Sequence, residues 1–294
     1  MSASKLAQVT DQIQKFWSPM FMDELRASIL LPSLVNKDYQ GEIKAGGDTV
    51  RVSQLNAPRG ENRTVGTNAE EFATDQLSMS YVDVKADKRA VAAYEFEDLA
   101  ILQSQLEAGD SEIRKALVYA VGKQMSDYLY SLVAPSSSSP DHIINSVTDF
   151  NATQLANARM RAAIAKWGKE KPWWILCDPV YYSDLLNATT LTSKDYIEGE
   201  APVIGGQIAN KRMGFNILED NGLATDQAVI FHPDFMHLVM QKQVQFKVSD
   251  LHSQKKFGFV ISADIVYGGK LGVDGAKKCQ LVVADASAAT VTIA

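Results

Sequence analysis

The sequence WWILCDPVYYSDL, residues 173–185, holds a strand signal that passes directly into a helix signal. The five apolar residues from Trp173 to Cys177 predict a short buried strand. Asp178 and Pro179 then predict a helix start, because aspartate caps free N–H groups and proline lacks the N–H that the first turn leaves unpaired. A strand followed at once by a helix indicates a domain that mixes the two elements.

Strand and helix signals alternate on both sides of this stretch. Apolar residues three or four positions apart predict helices, whereas alternating patterns and short apolar runs predict strands. The predicted helices are 95–133 with a break at 109–111, 152–167, a helix from 178, and 232–240. The predicted strands are 49–55, 77–91, 173–177, 215–218, 228–231, 257–267 and 279–283. This interleaving predicts an α+β fold with a mixed sheet.

Residues 39–94 have the pattern of a long two-stranded excursion from the body of the protein. The strands 49–55 and 77–91 alternate apolar and polar residues, and the turn formers of 56–63 lie between them. An isolated two-stranded ribbon is marginally stable in water, and its unpaired edges need a partner. We therefore expect a neighbouring copy of the chain to support it.

Composition excludes several classes of protein. The 294 residues are 46% hydrophobic, so the chain can bury a core without disulfides or metals. Its formal net charge of -6 comes without the clustered Lys and Arg of a sequence-independent DNA binder. No apolar run suits a secretory signal or a membrane span, and two cysteines make no disulfide framework.

The four histidines are the first candidates for chemistry. His232 and His237 are five residues apart, and neither they nor His142 and His252 form an HExxH or HxH pair. A metal pair is one interpretation of the spacing. Capping, core and surface roles fit it better, because zinc demands a defined geometry.

Two further candidates have ordinary structural explanations. Cys177 is a possible nucleophile, but its place at the end of an apolar strand is typical of an inert buried thiol. Glu95, Glu97 and Asp98 are a possible acid–base cluster, but acidic residues at a helix start also match the helix dipole. The sequence therefore assigns no catalytic, cofactor-binding or metal-binding residue.

Glycines give no ligand-binding motif. The run 205–214 fits neither GxxxxGK[ST] nor GxGxxG. We expect Gly46–Gly47 and Gly268–Gly269 to be turn glycines at positive φ.

Several segments resemble one family in the same order along the chain. The segments are LVNKDYQGEI (34–43) with GDTV (47–50), the helix 111–133 with Asp127 at an acidic position, residues 173–185, GFNILEDNGL (214–223), and FG (257–258) with YGGKL (267–271). They resemble the major capsid (coat) proteins of tailed bacteriophages with the Hong Kong 97-type fold.

The resemblance implies a division of the chain. Residues 1–38 would form an N-terminal arm, and 39–94 an extended E-loop hairpin with strands of the P-domain. Residues 95–140 would hold the spine helix of the P-domain and a linker, PSSSSP at 135–140. Residues 141–266 would form an A-domain with a mixed sheet, and 267–294 a last P-domain strand and tail.

The resemblance also implies a function without catalysis or cofactor. Such subunits assemble in the host cytoplasm into pentamers and hexamers of an icosahedral virion head, which encloses double-stranded DNA without reading its sequence. Scaffold, portal and decoration proteins are the implied partners, and Gly46–Gly47 and Gly109 are candidate hinges for head expansion. Some members crosslink an E-loop lysine to a neighbour's asparagine, which we do not expect here because no lysine lies between Lys44 and Lys85.

Three alternatives stay open at this point. An encapsulin-like compartment would share the fold but hold cargo protein instead of DNA. A soluble α/β enzyme would need a pocket with perturbed titratable groups. A decoration or tail subunit of a virion is the third.

Overall fold

Three layers of secondary structure make up the body of the protein. The structure is a computed structural model and describes residues 26–39, 48–62, 74–97, 111–137, 140–192, 203–204, 207–208 and 211–294. Its helices are α1 (Leu31–Leu34), α2 (Ser111–Ser131), α3 (Ala152–Ile164), α4 (Pro179–Asn187) and α5 (Thr189–Thr192). Its strands are β1 (Thr49–Leu55), β2 (Met79–Lys85), β3 (Lys88–Glu97), β4 (Ile143–Ile144), β5 (Trp173–Cys177), β6 (Val203–Ile204), β7 (Gln207–Ile208), β8 (Phe215–Glu219), β9 (Gln227–Phe231), β10 (Met236–Asp250), β11 (Gly258–Leu271) and β12 (Cys279–Val283).

A mixed five-stranded sheet forms the middle layer, in the order β4-β12-β9-β5-β8. β5 and β8 run parallel, as do β12 and β4, whereas β9 is antiparallel to both of its neighbours. Alternate residues of β5 enter two cores, since Ile175 packs with the buried side of α3 and α4 and Leu176 packs towards α2. A sheet covered on both faces explains the continuous apolar runs of its strands.

An antiparallel three-stranded sheet, β10-β11-β3, lies against α2. α2 contributes Leu117, Val121 and Leu129 to the shared core, at spacings that place them on one helical stripe. β10 and β11 are long strands of 15 and 14 residues.

β1 and β2 form a separate antiparallel hairpin. Its register pairs Thr49 with Lys85 at the base and Leu55 with Met79 at the far end. A short two-residue turn at 86–87 then leads into β3, which belongs to the three-stranded sheet.

Many predicted elements are confirmed. The predicted strands 49–55 and 173–177 match β1 and β5 residue for residue, and α2 lies within the predicted helix 95–133. The predicted break at Gly109 and Asp110 lies outside the described residues. Asp178 caps α4 as predicted, because its carboxylate accepts hydrogen bonds from the N–H groups of Val180 and Tyr181. Each of these signals is local, so the neighbouring residues alone are enough to produce it.

The predicted helix 232–240 is wrong. His232 does cap a turn, since its Nδ1 accepts the Asp234 N–H at 3.2 Å, but that turn is a 3-10 helix covering only Pro233–Phe235. The chain then enters β10 and pairs with β11 along its length. The pairing of β10 with β11 overrides the local helix-start signal, because the long strand pair forms many more hydrogen bonds than a short helical turn.

The predicted helix start at Glu95 and Glu97 is also wrong. Both residues lie in β3, where Glu97 is paired with Gly258 of β11, so the helix-dipole explanation does not apply to them. Asp98, Gly109 and Gly46–Gly47 lie outside the described residues. The predicted strand 77–91 is two strands that belong to two different sheets, because the chain turns at 86–87.

Gly268 and Gly269 are strand residues of β11 and not turn glycines. A Cβ on Gly268 would lie 1.8 Å from the Lys85 carbonyl oxygen, because the base of the hairpin crosses β11 at this point. Absence of a side chain, and not a positive φ, is the reason for glycine here.

The predicted boundary between residues 266 and 267 falls inside β11, which is one continuous strand. β12, in the segment predicted to be a P-domain strand and tail, pairs with β9 and β4 in the five-stranded sheet. The strands of the two sheets therefore alternate along the chain, because β10 and β11 of one sheet lie between β9 and β12 of the other.

Candidate assembly surfaces

The base of the hairpin is attached to the body of the protein. Val50, Val52 and Val84 are buried in a small core together with Val239 of β10. The close approach of Lys85 to Gly268 fixes the crossing point. The hairpin therefore leaves the body from a packed base.

The far part of the hairpin exposes large apolar side chains. Leu55 and Met79 are directly opposite each other and are 60% and 57% exposed, and Tyr81 on the same face is 58% exposed. Leu77, just before β2, is 75% exposed. Adjacent exposed apolar residues on one face mark an interaction surface more often than single ones do. We call these four residues the hairpin apolar face.

Polar contacts hold this face in shape. Arg51 and its cross-strand partner Asp83 form two parallel hydrogen bonds of 2.7 and 2.9 Å. The guanidinium also lies 4.2 Å from the centre of the Tyr81 ring. Arg51 lowers the pKa of the Asp83 carboxyl by hydrogen bonding and charge. The pair is exposed and contributes little to stability, but it orders the ring of Tyr81.

A second group of exposed apolar residues lies at the far end of the three-stranded sheet. Tyr94, Phe246 and Val248 point to the α2 side of the sheet, in register with Ile261 and Ala263. Phe257, in the turn between β10 and β11, is 75% exposed. Arg114 of α2 reaches this group, with its guanidinium 5.8 Å from the centre of the Phe246 ring.

The segment at 26–30 is held between α2 and the turn after β8. The N–H of Ala27 donates to the Tyr119 hydroxyl of α2 at 3.0 Å. Ser28 donates from its N–H to the Asn221 side chain at 2.6 Å and from its hydroxyl to Asp220 at 3.0 Å. Ala27 and Ser28 are therefore fixed to the body.

Asp220 is the centre of this junction. It is fully buried, and its carboxylate accepts hydrogen bonds from the Tyr130 hydroxyl at 2.5 Å and from the Gly222 N–H at 2.9 Å. Burial, together with the charge of Asp220, raises the pKa of Tyr130 well above its ordinary value. The sequence-based prediction missed this network, although Asp-Asn-Gly at 220–222 is a recognisable turn signal.

The structure does not bring the four histidines together as a metal site. His142 and His237 are buried, the Nδ1 of each has no hydrogen-bond partner among the described residues, and His237 contacts the ring of Tyr39 edge-on. His232 is the cap described above, and His252 lies beside Phe257 at the surface. Within the described ranges, no group of three His, Cys, Asp or Glu side chains could hold a metal ion.

The remaining candidates lie apart from one another. Cys177 and Cys279 are buried, and burial raises the pKa of the Cys279 thiol to about 12. Burial also raises the pKa of Cys177 well above its ordinary value, so a thiolate is disfavoured there. Glu95 forms an exposed ion pair with Lys256. Partial burial raises the pKa of Asp127 on α2.

Comparison with known proteins identifies the family. A sequence model of the family described as phage capsid protein matches residues 45–274. No curated protein sequence is a significant match to the chain. In the described part of the chain, no helix is long and apolar enough to cross a membrane.

Solved structures share the fold at low identity. A chain from Mycobacterium phage Che8 has a TM-score of 0.72 at 22% identity, with 92% of this chain and 96% of that chain covered. A chain of the capsid asymmetric unit of cyanophage Pam1 has a TM-score of 0.71 at 13% identity, with 98% of this chain and 100% of that chain covered. A chain of the capsid structure of cyanophage P-SCSP1u has a TM-score of 0.70 at 14% identity, with 94% of each chain covered. The mixed α+β fold is therefore that of phage capsid chains.

Proposed function

Because this chain belongs to the phage capsid protein family, we propose that it is the subunit that tiles the icosahedral head of a tailed phage as pentamers and hexamers. As a capsid protein it has a structural role in the virion. The head would assemble in the host cytoplasm and enclose double-stranded DNA, with scaffold, portal and decoration proteins as further partners. The proposal assigns no catalytic, cofactor or metal residue.

The parts of the fold have natural counterparts in this proposal. The hairpin β1–β2 would be the E-loop and α2 the spine helix. The three-stranded sheet with α2 would form the P-domain, and the five-stranded sheet with α3 and α4 the A-domain. The chain up to residue 38 would be the arm, anchored at Ser28 to Asp220 and Asn221.

The hairpin apolar face is the observation that supports assembly best. Its residues extend past the packed base, and within the described residues nothing covers them. Apolar burial contributes about 25 cal/mol per Å², so covering this face stabilises a contact without any change inside the subunit. An adjacent subunit would cover it.

Contacts of this kind are heterologous, because the hairpin of one subunit meets a different surface on the next. Heterologous contacts close into rings when the rotation between subunits allows it. Five- and six-membered rings are the two closures that the proposed head needs. Every subunit would then both give and receive one hairpin.

The experiment compares the same substitution at two equally exposed sites. Met79→Ser removes part of the hairpin apolar face, whereas Met160→Ser changes a methionine on α3 that is 54% exposed. We expect Met79→Ser to weaken each contact between subunits by roughly tenfold, which a shell with many contacts cannot tolerate. Negative-stain electron microscopy and sedimentation would count shells against free subunits.

Met160→Ser is the control for loss of exposed apolar area. We expect Met160→Ser to assemble like the unsubstituted chain. As free subunits, both variants should unfold at the same temperature as the unsubstituted chain. Equal shell yields for Met79→Ser and the unsubstituted chain would show that the hairpin does not mediate assembly.

A further inference from the structure

A basic cleft lies at one end of the five-stranded sheet. Its volume is about 180 Å³, and four cationic side chains line it together with Pro172, Trp173 and Gly214. The four are Arg159, Lys169, Lys171 and Lys211. Such a cluster contrasts with a chain whose formal net charge is -6.

Three separate segments bring these charges together. Arg159 projects from α3, Lys169 and Lys171 lie in the connection to β5, and Lys211 precedes β8. β5 and β8 are parallel and in register, with Trp173 opposite Phe215, so the segments before them meet at the same edge of the sheet. The cleft is therefore a product of the sheet topology.

Arg159 is fixed in place by the walls of the cleft. Its guanidinium lies over the Trp173 ring, 4.4 Å from the ring centre. On another side the backbone of Gly214 leaves room for it, since a Cβ there would lie 2.7 Å from a guanidinium nitrogen. Gly214 has φ of +87° in a tight turn, where Arg212 and Phe215 exchange backbone hydrogen bonds of 3.0 and 2.9 Å. A positioned cation loses little entropy when it binds an anion.

Most of the positive charge in the cleft has no counter-charge within the described residues. Lys171 forms ion pairs with Asp234 at 2.8 Å and with Asp38 at 3.4 Å. In the part of the chain that the structure describes, no carboxylate forms an ion pair with Arg159, Lys169 or Lys211. Like charges held near one another are unfavourable unless an anion joins them.

We propose that this cleft binds a phosphate group. A guanidinium and several ammonium groups around a small cavity suit a compact anion with several oxygen atoms and more than one negative charge. The Trp173 ring is buried and covered by Arg159, so it offers no face for stacking a base. Recognition would therefore concern the phosphate alone, as in a free polyphosphate or in the backbone of a nucleic acid.

The test uses the purified full-length chain and three probes: pyrophosphate, a short single-stranded DNA and a short DNA duplex. Titration calorimetry at low salt would give the affinity for each, because screening weakens such binding. We expect the double variant Lys169→Gln/Lys211→Gln to bind at least about tenfold more weakly than the unsubstituted chain. The matched control is Lys247→Gln/Lys255→Gln, which removes two exposed lysines outside the cleft and should leave the affinity unchanged.

The probes also separate the two sources of phosphate. Pyrophosphate binding alone identifies a free anion as the ligand, and DNA binding with a salt dependence that falls in the cleft variant identifies the nucleic-acid backbone. No binding by the unsubstituted chain, or equal binding by the cleft and control variants, overturns the proposal. The measurement needs no assembled shell, so its failure would leave the assembly function intact.

Discussion

β9 and the hairpin β1–β2 are both strand structures, yet they use their residues in opposite ways. All five residues of β9, from Gln227 to Phe231, are buried between two layers of the body. In the hairpin, only the side chains near the base are buried, and the far end carries Leu55 and Met79 in contact with solvent. β9 is stabilised inside one subunit, whereas the far end of the hairpin leaves apolar side chains exposed and available for contact with another molecule.

The two regions therefore respond to substitution in different ways. Buried residues of β9 report on folding, because removing them opens a cavity inside the subunit. Exposed residues of the hairpin report on contacts with other subunits. A substitution should therefore separate folding from assembly according to the region in which it lies.

The largest expected effect tests the folding side of this comparison. Phe231→Ala should lower the free energy of unfolding by about 3–5 kcal/mol, because Phe231 is fully buried and packs against Phe235. Leu55→Ala should change it by less than about 0.5 kcal/mol, since this side chain is mostly in solvent. Denaturant unfolding of free subunits measures both. Similar losses for the two variants would remove the distinction between the regions.

An intermediate effect is expected where the two regions meet. Gly268→Ala should cost about 1–3 kcal/mol, because the new methyl group displaces the backbone at Lys85 and with it the base of the hairpin. Hydrogen exchange should speed up in β1 and β2 more than in β9. Gly60→Ala is the matched control, since a Cβ at Gly60 meets no atom within 4 Å. Unchanged exchange in Gly268→Ala would mean that the hairpin is not anchored at this crossing.

A gradual effect is expected with pH, and its source lies in the body. Burial is the main reason that the pKa of His142, His232 and His237 is lower than the ordinary value of 6.5. As the pH falls, these histidines are therefore protonated in the unfolded chain before they are protonated in the folded one. The free energy of unfolding should thus be highest above pH 6.5 and fall as the pH drops below it. The slope is at most about 1.4 kcal/mol per pH unit for each histidine.

Two single variants sharpen that measurement. His142→Leu should flatten the slope below pH 6.5, whereas His252→Leu, at the surface beside Phe257, should leave it as it is. The hairpin contains no histidine, so local opening of its far end should not respond over the same range, as measured by hydrogen exchange corrected for the intrinsic pH dependence of the exchange reaction. A slope unaffected by His142→Leu would contradict the role given to burial.

Prediction from sequence succeeded where the signal is local. The bounds of β1 and β5 and the cap at Asp178 follow from residues adjacent in the chain. It failed at β10, where His232-Pro233-Asp234 resembles a helix start. From Val244 to Ser249 the apolar and polar residues alternate with the period of a strand, which is a signal that could have corrected the error.

The mixture of helices and strands, the capped start of α4 and the likeness to a family of shell proteins could all be predicted from the residues alone. These depend on spacing along the chain, which is readable without coordinates. The division of residues 77–91 between two sheets and the junction at Asp220 between the 26–30 segment and α2 became visible only in the folded chain. The same holds for the cleft that Arg159, Lys169 and Lys211 share. The physical reason is that partners far apart in sequence meet through strand order and layer packing, which no single stretch of the chain encodes.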